Sequence, residues 1–173
     1  NFWAKLSYFI ISTSDTDRLD PSTASSKCLG KSLTFGEWDV YSKKMAIYLN
    51  SLNLRKGERV AVMLPNLLQN PISIIGILRA GLVVVNVNPL YSERELAHQL
   101  RDSGAEAIII LENFSLTLNN IVQQTNVRHV ITTNVGDLLG LKGNLINFAL
   151  RHIKKVIPKI NYNKCIKSRC SFK

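Results

Sequence analysis

The sequence predicts an α/β protein with a mostly parallel sheet and helices on its faces. Short apolar runs of strand length alternate with stretches that have helical spacing, and the runs cover residues 59–64, 82–87, 107–111 and 127–132. Each run is apolar at nearly every position, as in strands that are covered on both faces. The regular β-α-β alternation indicates crossover connections and therefore parallel pairing.

Gly81 begins the clearest step from strand to helix. Its freedom to adopt the left-handed conformation suits the end of a helix, and the β-branched run Leu82–Val87 follows directly. Asn88-Pro89 then takes the chain out of the sheet. Ser92 with Glu95 three residues later is the pattern of a capping box, which predicts a helix start.

Helical spacing predicts five helices. The first is capped by Thr34 and carries an aromatic and apolar stripe that indicates core packing. The fifth is amphipathic, with Leu145 and Phe148 on its apolar side and basic residues on the other. The predicted ranges are 36–52, 67–80, Glu93–Ser103, Phe114–Gln124 and Asn144–Ile157.

The predicted organisation has three parts. Residues 1–31 are expected to be an unstructured or atypical segment, because Ser12 to Ser26 is rich in Ser, Thr and Asp. Residues 32–158 are expected to fold as the α/β domain. Residues 159–173 lack periodicity and are expected to form a disordered basic tail.

The net charge of +10 is concentrated near the end of the sequence. Eight of the 22 Lys and Arg residues follow Leu150, where no acidic residue occurs, so residues 1–150 carry 14 basic against 12 acidic residues. This pattern is typical of a solvated tail, and it also suits weak contact with an anionic membrane. No specific nucleic-acid binding is expected.

The sequence contains three cysteines, Cys28, Cys165 and Cys170. Their odd number argues against a disulfide framework. A zinc site is not expected, because no further His or Cys pair accompanies Cys165 and Cys170. No apolar run reaches the roughly 20 residues of a membrane-spanning helix. We therefore expect a cytoplasmic protein, with a peripheral position at the inner face of the membrane as the alternative.

No residue is predicted to be catalytic, cofactor-binding or metal-binding. His98, His129 and His152 share no spacing with a carboxylate or a nucleophile, and Glu93 and Glu95 suit a helix N-terminus without any catalytic role. In a doubly wound sheet, ligands bind at the carboxyl ends of strands. The turns at 64–66 and 86–89 lie at such ends, but neither is assigned a contact.

Several motifs occur in a characteristic order. They are Gly57-Glu58-Arg59-Val60-Ala61 with Pro65-Asn66 after it, the segment 76–81, Asn86-Val87-Asn88-Pro89-Leu90-Tyr91, Glu95-Leu96 and Asp102-Ser103-Gly104-Ala105. This ordered set resembles the N-terminal region of the AMP-forming acyl-CoA synthetases. The Asn-Pro-Leu-Tyr turn is similar to that of the long-chain fatty-acid–CoA ligases in particular.

The resemblance implies a partial N-terminal subdomain of an adenylate-forming enzyme. Full-length members use ATP, Mg²⁺ and coenzyme A to convert a fatty acid to an acyl adenylate and then to acyl-CoA. The family's Gly/Ser/Thr-rich phosphate loop ending in Lys-Gly does not occur in this sequence. The chain is therefore expected to be a catalytically inactive fragment, without cofactors of its own.

A non-enzymatic role is the alternative. A free α/β module of this kind would bind a protein partner, or an anionic membrane surface through the basic helix 144–157. The sequence leaves open whether the chain takes part in catalysis.

Overall fold

A five-stranded parallel sheet with helices on both faces dominates the computed structural model, which describes residues 22, 24–28, 30–148 and 166–169. A small antiparallel hairpin precedes the sheet. The 3₁₀ turns Glu112–Phe114 and Val122–Gln124 flank α4. The elements in chain order are β1 (Ala24–Cys28), β2 (Lys31–Thr34), α1 (Phe35–Asn50), β3 (Arg59–Met63), α2 (Gln69–Arg79), β4 (Val83–Asn86), α3 (Glu93–Ser103), β5 (Ala107–Leu111), α4 (Ser115–Ile121), β6 (His129–Thr133), α5 (Gly140–Phe148) and β7 (Ile166–Arg169).

The spatial order of the parallel strands is β4-β3-β5-β6-β7, and every neighbouring pair is parallel. The chain moves from β3 to β4 on one side, then returns past β3 to build β5, β6 and β7 on the other side. This is the doubly wound order in which the direction of winding reverses beside the first parallel strand. The predicted parallel α/β sheet is confirmed.

Alternating side chains of the strands enter two separate cores. Val60, Val62 and Ile109 pack on the face covered by α1 and α2, whereas Ala61 and Ile108 pack on the face covered by α3 and α4. Both sets of positions are apolar because both faces are covered. Every residue of β5 is buried, which explains why its sequence is an unbroken apolar run.

The local helix signals act as the sequence predicts. The backbone N–H of Glu37 donates to Thr34 Oγ1 (3.2 Å), and the backbone N–H of Thr34 donates to Glu37 Oε2 (2.9 Å), so a capping box starts α1. Ser92 and Glu95 form a second box at the start of α3. Gly81 follows α2 with a φ of +73°, a left-handed conformation that favours glycine.

Part of the segment predicted to be unstructured, residues 1–31, forms a strand. β1 pairs antiparallel with β2, whose Leu33 is fully buried in the core under α1 and α2. The sequence of β1 is mostly small and polar, so it lacks the apolar pattern of a strand; its structure depends on pairing with β2. Residues 1–21 lie outside the described residues.

The prediction of disorder after residue 158 is wrong for residues 166–169, which form β7. This strand adds to the sheet beside β6, with His129 opposite Ile166 and Thr132 opposite Arg169. Its sequence, Ile-Lys-Ser-Arg, carries no apolar run, and backbone pairing with the buried strand β6 accounts for its conformation. The fifth helix begins at Gly140 instead of Asn144, and its predicted residues 149–157 lie outside the described part.

None of the helices in the described part of the chain is long and apolar enough to cross a membrane.

Gly76 marks the crossing of α1 and α2, the most extensive helix–helix packing in the described structure. A methyl group built at Gly76 would lie 2.6 Å from Met45 Cβ and 3.2 Å from the carbonyl oxygen of Ser42. One turn away, Arg79 of α2 forms an ion pair with Asp39 of α1 (2.7 Å). The two backbones therefore approach so closely that no side chain fits between them.

We predict that Gly76→Ala destabilises the fold by about 1–3 kcal/mol, because the added methyl group overpacks the crossing. Urea unfolding followed by far-UV circular dichroism measures the change. Ile47→Ala is the matched control on α1, since Ile47 is 71% exposed, and it should stay within about 0.5 kcal/mol of the unmodified chain. Equal stabilities for Gly76→Ala and the unmodified chain would contradict the close crossing.

Candidate functional site

The winding of the sheet reverses between β3 and β5, and this defines a crevice at their carboxyl ends. The chain leaves β3 through Leu64-Pro65-Asn66 into α2, which packs on one face. It leaves β5 through the 3₁₀ turn Glu112–Phe114 into α4, which packs on the other face. In open α/β sheets this is the position where ligands bind. The candidate site is therefore the carboxyl edge around these two strands.

The Phe114 ring occupies the border between the two faces at this edge. It is half-buried and packs against both hydrophobic cores. At the end of β3, the Asn70 side-chain amide donates to the carbonyl oxygens of Leu64 (3.0 Å) and Pro65 (3.2 Å), which directly follow the strand. Asn66 is exposed, and its carbonyl oxygen accepts from Cys28 Sγ of the hairpin (3.9 Å).

Neutral amide side chains line the carboxyl edge. Gln69 Nε2 donates to the Asn134 carbonyl oxygen (2.8 Å), which ties α2 to the end of β6, and Gln99 Nε2 donates to the Asn86 carbonyl oxygen (2.8 Å) at the end of β4. Within the described residues, several buried amide atoms have no hydrogen-bond partner. They are Gln99 Oε1, Asn113 Oδ1 and both side-chain polar atoms of Asn134. Such atoms cost free energy while unpaired, so this edge has unused hydrogen-bonding capacity.

Asp137 organises the turn that follows β6. Its carboxylate accepts hydrogen bonds from Thr133 Oγ1 (3.2 Å), the Asn134 backbone N–H (2.8 Å) and Asn147 Nδ2 (3.0 Å). The Gly136 N–H donates in turn to Asn147 Oδ1 (2.9 Å). These bonds attach α5 to the carboxyl edge, and they give the Asp137 carboxylate a structural role.

The opposite, amino edge of the sheet carries a network of ion pairs. Arg128 before β6 pairs with Glu58 before β3 (3.1 Å) and with Glu106 before β5, and Arg55 pairs with Glu58 (2.9 Å). This network joins the starts of three neighbouring strands. Next to it, the His129 side chain is 7% exposed, and its Nδ1 has no partner among the described residues.

Burial and ion pairing shift the pKa values at the amino edge. Burial alone would raise the pKa of Glu58, but the hydrogen bonds from Arg55 and the charge of Arg128 hold it below its ordinary value. Burial lowers the pKa of His129, and Arg128 lowers it further against the opposing effect of Glu106 and Glu58. His129 is therefore favoured in its neutral form, packed at the start of β6.

Two of the three histidines, His98 and His129, lie in the described part of the chain, and they are on different elements. His129 lies at the amino edge, away from the candidate site, and His98 is exposed on α3; His152 lies outside the described residues. Glu95 belongs to the capping box, and Glu93 Oε1 accepts from Asn120 Nδ2 of α4 (2.6 Å). That none of these residues is catalytic stays a prediction.

The described residues contain no group of three or more His, Cys, Asp or Glu side chains that could hold a metal ion. The sequence analysis missed the buried amides of Asn113 and Asn134. The sequence does contain a signal for them, because Asn113 and Asn134 follow the buried strands β5 and β6 within two residues. The carboxyl ends of parallel strands are where ligands bind in such sheets.

The family model described as AMP-binding enzyme matches residues 18–155, and the chain belongs to that family. Long-chain-fatty-acid–CoA ligase of Salmonella typhimurium is 51% identical over 143 residues, which are 82% of this chain and 26% of the relative. The ligase of the same description from Yersinia pestis is 54% identical over 133 residues, covering 76% and 24%. These relatives confirm the resemblance predicted from the motifs.

Solved structures agree with this assignment. The crystal structure of a long-chain-fatty-acid–CoA ligase from Archaeoglobus fulgidus superposes with a TM-score of 0.58 at 28% identity, covering 66% of this chain and 23% of that one. The apo structure of MbtA from Mycobacterium smegmatis gives 0.64 at 28% identity, covering 69% and 23%. This chain spans about a quarter of the length of the relatives that it matches.

We predict that the fold loses stability as the pH falls below the ordinary His129 pKa of 6.5. Folding lowers the pKa of this group, so the unfolded chain binds a proton more readily than the folded chain does. The group's contribution to stability is therefore complete above the pKa of the unfolded chain, and it is lost as the pH falls through the pKa of the folded chain. Thermal melts between pH 7.5 and pH 5 should show a falling midpoint in the unmodified chain and a flatter profile in His129→Leu. The Glu58 carboxylate titrates below its ordinary value of 4.5, outside this window. Identical profiles for the two proteins would contradict the neutral, buried His129.

Proposed function

We propose that this chain is the amino-terminal part of a ligase that activates long-chain fatty acids. The observation that carries the proposal is the 51% identity to the Salmonella typhimurium ligase across 82% of the chain. The family model matches residues 18–155, which include the strands β3 to β6 and the turns at their carboxyl ends. The chain's contribution in this proposal is the framework beside which the chemistry takes place.

The proposed reaction has two steps. The fatty-acid carboxylate attacks the α-phosphorus of ATP and pyrophosphate leaves, which yields an acyl adenylate. The thiol of coenzyme A then attacks the acyl carbon and AMP leaves, so that a thioester forms. The developing phosphate charge needs cationic groups or a metal ion, and the described residues supply no metal site. We therefore assign no step of the chemistry to a residue of this chain.

A chimeric enzyme tests the proposal directly. Residues 18–155 of this chain replace the matching segment of the Salmonella typhimurium ligase, and the purified chimera is assayed for fatty-acid-dependent release of AMP with coenzyme A present. We predict that the chimera forms long-chain acyl-CoA, because about half of the exchanged residues are identical and cores tolerate substitutions that conserve volume.

The control chimera carries Gly76→Ala in the exchanged segment. The two chimeras differ only at position 76. Because α1 and α2 cross closely there, the Gly76→Ala chimera should be less stable than the first chimera. A well-folded chimera without any acyl-CoA synthesis, shown by a cooperative melt, would overturn the proposed function. If the first chimera loses both folding and activity, the exchanged segment packs badly against the rest of the enzyme. A second chimera that exchanges only residues 54–111 is therefore made in parallel. If this second chimera folds but is inactive, the result also counts against the proposal.

We further predict that the isolated 173-residue chain is catalytically silent. It should neither exchange pyrophosphate into ATP nor form acyl-CoA, because its sequence has no Gly/Ser/Thr-rich phosphate loop. The measurement is radiolabelled pyrophosphate exchange with a long-chain fatty acid, compared with heat-treated protein. Exchange above that background would show that the chain holds its own phosphate-binding residues.

A further inference from the structure

Strand β4 forms one edge of the parallel sheet, and no other described strand lies on its outer side. On its inner side, the Val83 N–H donates to the Glu58 carbonyl oxygen (2.9 Å) and the Val87 N–H donates to the Val62 carbonyl oxygen (3.0 Å). Backbone groups alternate in direction along a strand, so the N–H and C=O of Val84 point outward. The edge therefore presents a backbone donor and acceptor that can pair with another strand.

The features that commonly protect an edge strand do not occur in β4. Proteins protect such strands with charged side chains, a proline or a bulge, but no charged residue occurs from Ala80 to Ser92. The register between β3 and β4 is regular, and Pro89 lies beyond the strand. Only its end is capped, since Gln99 Nε2 donates to the Asn86 carbonyl oxygen (2.8 Å). The edge around Val84 is therefore available for pairing.

Exposed apolar side chains lie near both ends of this edge. At its start, Val83 is 44% exposed and Leu78, near the end of α2, is 42% exposed, whereas Leu90 in the turn after the strand is 86% exposed. Leu78 is close to the start of β4, because its carbonyl oxygen accepts from the Gly81 N–H (3.0 Å). Neighbouring exposed apolar side chains can mark an interaction surface. A matching partner supplies backbone hydrogen bonds in the middle and apolar contacts at both ends.

A second copy of this chain meets these requirements. An antiparallel arrangement around a twofold axis at Val84 places its N–H and C=O against those of Val84 of the second copy, which gives two hydrogen bonds. In this register the end of one β4 lies beside the start of the other, so the Leu90 turn of each copy approaches the start of the other strand, where Val83 and Leu78 are exposed. Because residues 80–92 carry no charge, the two strands bring no like charges together.

We propose that β4 pairs with β4 of a second copy of this chain, which joins two five-stranded sheets into one continuous sheet. A seam four residues long buries less than the roughly 1,200 Å² of a stable interface, so the dimer dissociates on dilution. This surface is separate from the candidate site at the ends of β3 and β5. The pairing depends only on the edge strand, and it does not rest on the proposed ligase function.

The first test measures the molar mass of the complete 173-residue chain by sedimentation equilibrium. The mass should rise from 19.4 kDa toward twice that value between about 1 µM and about 100 µM, as a small interface requires. Amide hydrogen exchange locates the contact. The Val84 N–H should exchange more slowly at the higher concentration, whereas the Val83 N–H, which is already bonded to Glu58, should not change. A monomer throughout this range, or a dimer with unchanged Val84 exchange, would overturn the proposal.

A proline variant removes the outward donor and leaves the pairing of β4 with β3 in place. Val84→Pro deletes the N–H that faces the open side, a position where an edge strand tolerates proline. It should weaken association about tenfold or more, because each copy loses a hydrogen-bond donor at the seam. The matched control is Val84→Ala, which shortens the side chain and keeps the N–H, so it should still dimerise. Equal weakening by the two substitutions would contradict backbone pairing at this strand.

A second pair of variants decides the question if Val84→Pro does not fold, as judged by far-UV circular dichroism. Leu90→Glu places a charge in the exposed turn at each end of the seam, and it should weaken association about tenfold or more. Ile47→Glu is the control, since it adds the same charge on α1, where Ile47 is 71% exposed, and it should leave association unchanged. An equal loss in both variants, or full association of Leu90→Glu, would show that the copies meet elsewhere and would refute the β4 seam.

Discussion

The whole architecture depends on strand β3, because among the described strands it joins the two directions in which the sheet is wound. β4 pairs with β3 on one side and β5 pairs with β3 on the other. A parallel strand in this position needs apolar cover on both faces, and β3 obtains it from α1 and α2 on one face and from α3 and α4 on the other. The candidate site exists for the same reason, since the crevice opens where the helices after β3 and β5 diverge to opposite faces.

Two kinds of polar contact complete this framework, one at each edge of the sheet. At the amino edge, full charges on Arg128, Glu58 and Glu106 hold the starts of three strands together. At the carboxyl edge, uncharged amides such as Gln69 and Asn70 satisfy the backbone carbonyls that the strands leave free. The ion-pair network therefore lies at the amino edge, and the carboxyl edge is held by neutral amides together with the Asp137 carboxylate.

Local signals in the sequence were sufficient for most of the fold. The Ser92–Glu95 capping box and the Gly81 helix end each act within one turn of the chain, and the apolar run of β5 reports burial directly. β1 and β7 could not be predicted in this way, because their polar sequences become strands only through partners elsewhere in the chain. The α5 start was misplaced for a related reason, since contacts with Gly136 and Asp137 fix it.

The candidate site was only partly accessible to the same reasoning. The sequence indicated strand ends as the place for ligands, and Leu64-Pro65-Asn66 does lie at the point where the winding reverses. The turn at Asn88-Pro89 looked equivalent, but it follows the edge strand β4. Strand order decides between them, and no short segment encodes strand order. The buried amide atoms of Asn113 and Asn134 are not evident from the sequence, because their burial depends on how separate elements pack together.

The pairing of β3 with β5 also has a consequence for how the chain reaches its native state. Val60 lies opposite Ala107, so the central pair of the sheet joins residues 47 positions apart. Closing so long a loop costs entropy before any sheet hydrogen bond is gained, and parallel topologies fold slowly for this reason. The hairpin β1–β2 joins residues at most ten positions apart, and the α1–α2 crossing joins residues 31 to 40 positions apart. During synthesis these contacts come within reach before β5 emerges. The core that they share with β5 stays incomplete until Ala107, Ile109 and Leu111 arrive, and one edge of β3 stays unpaired until then.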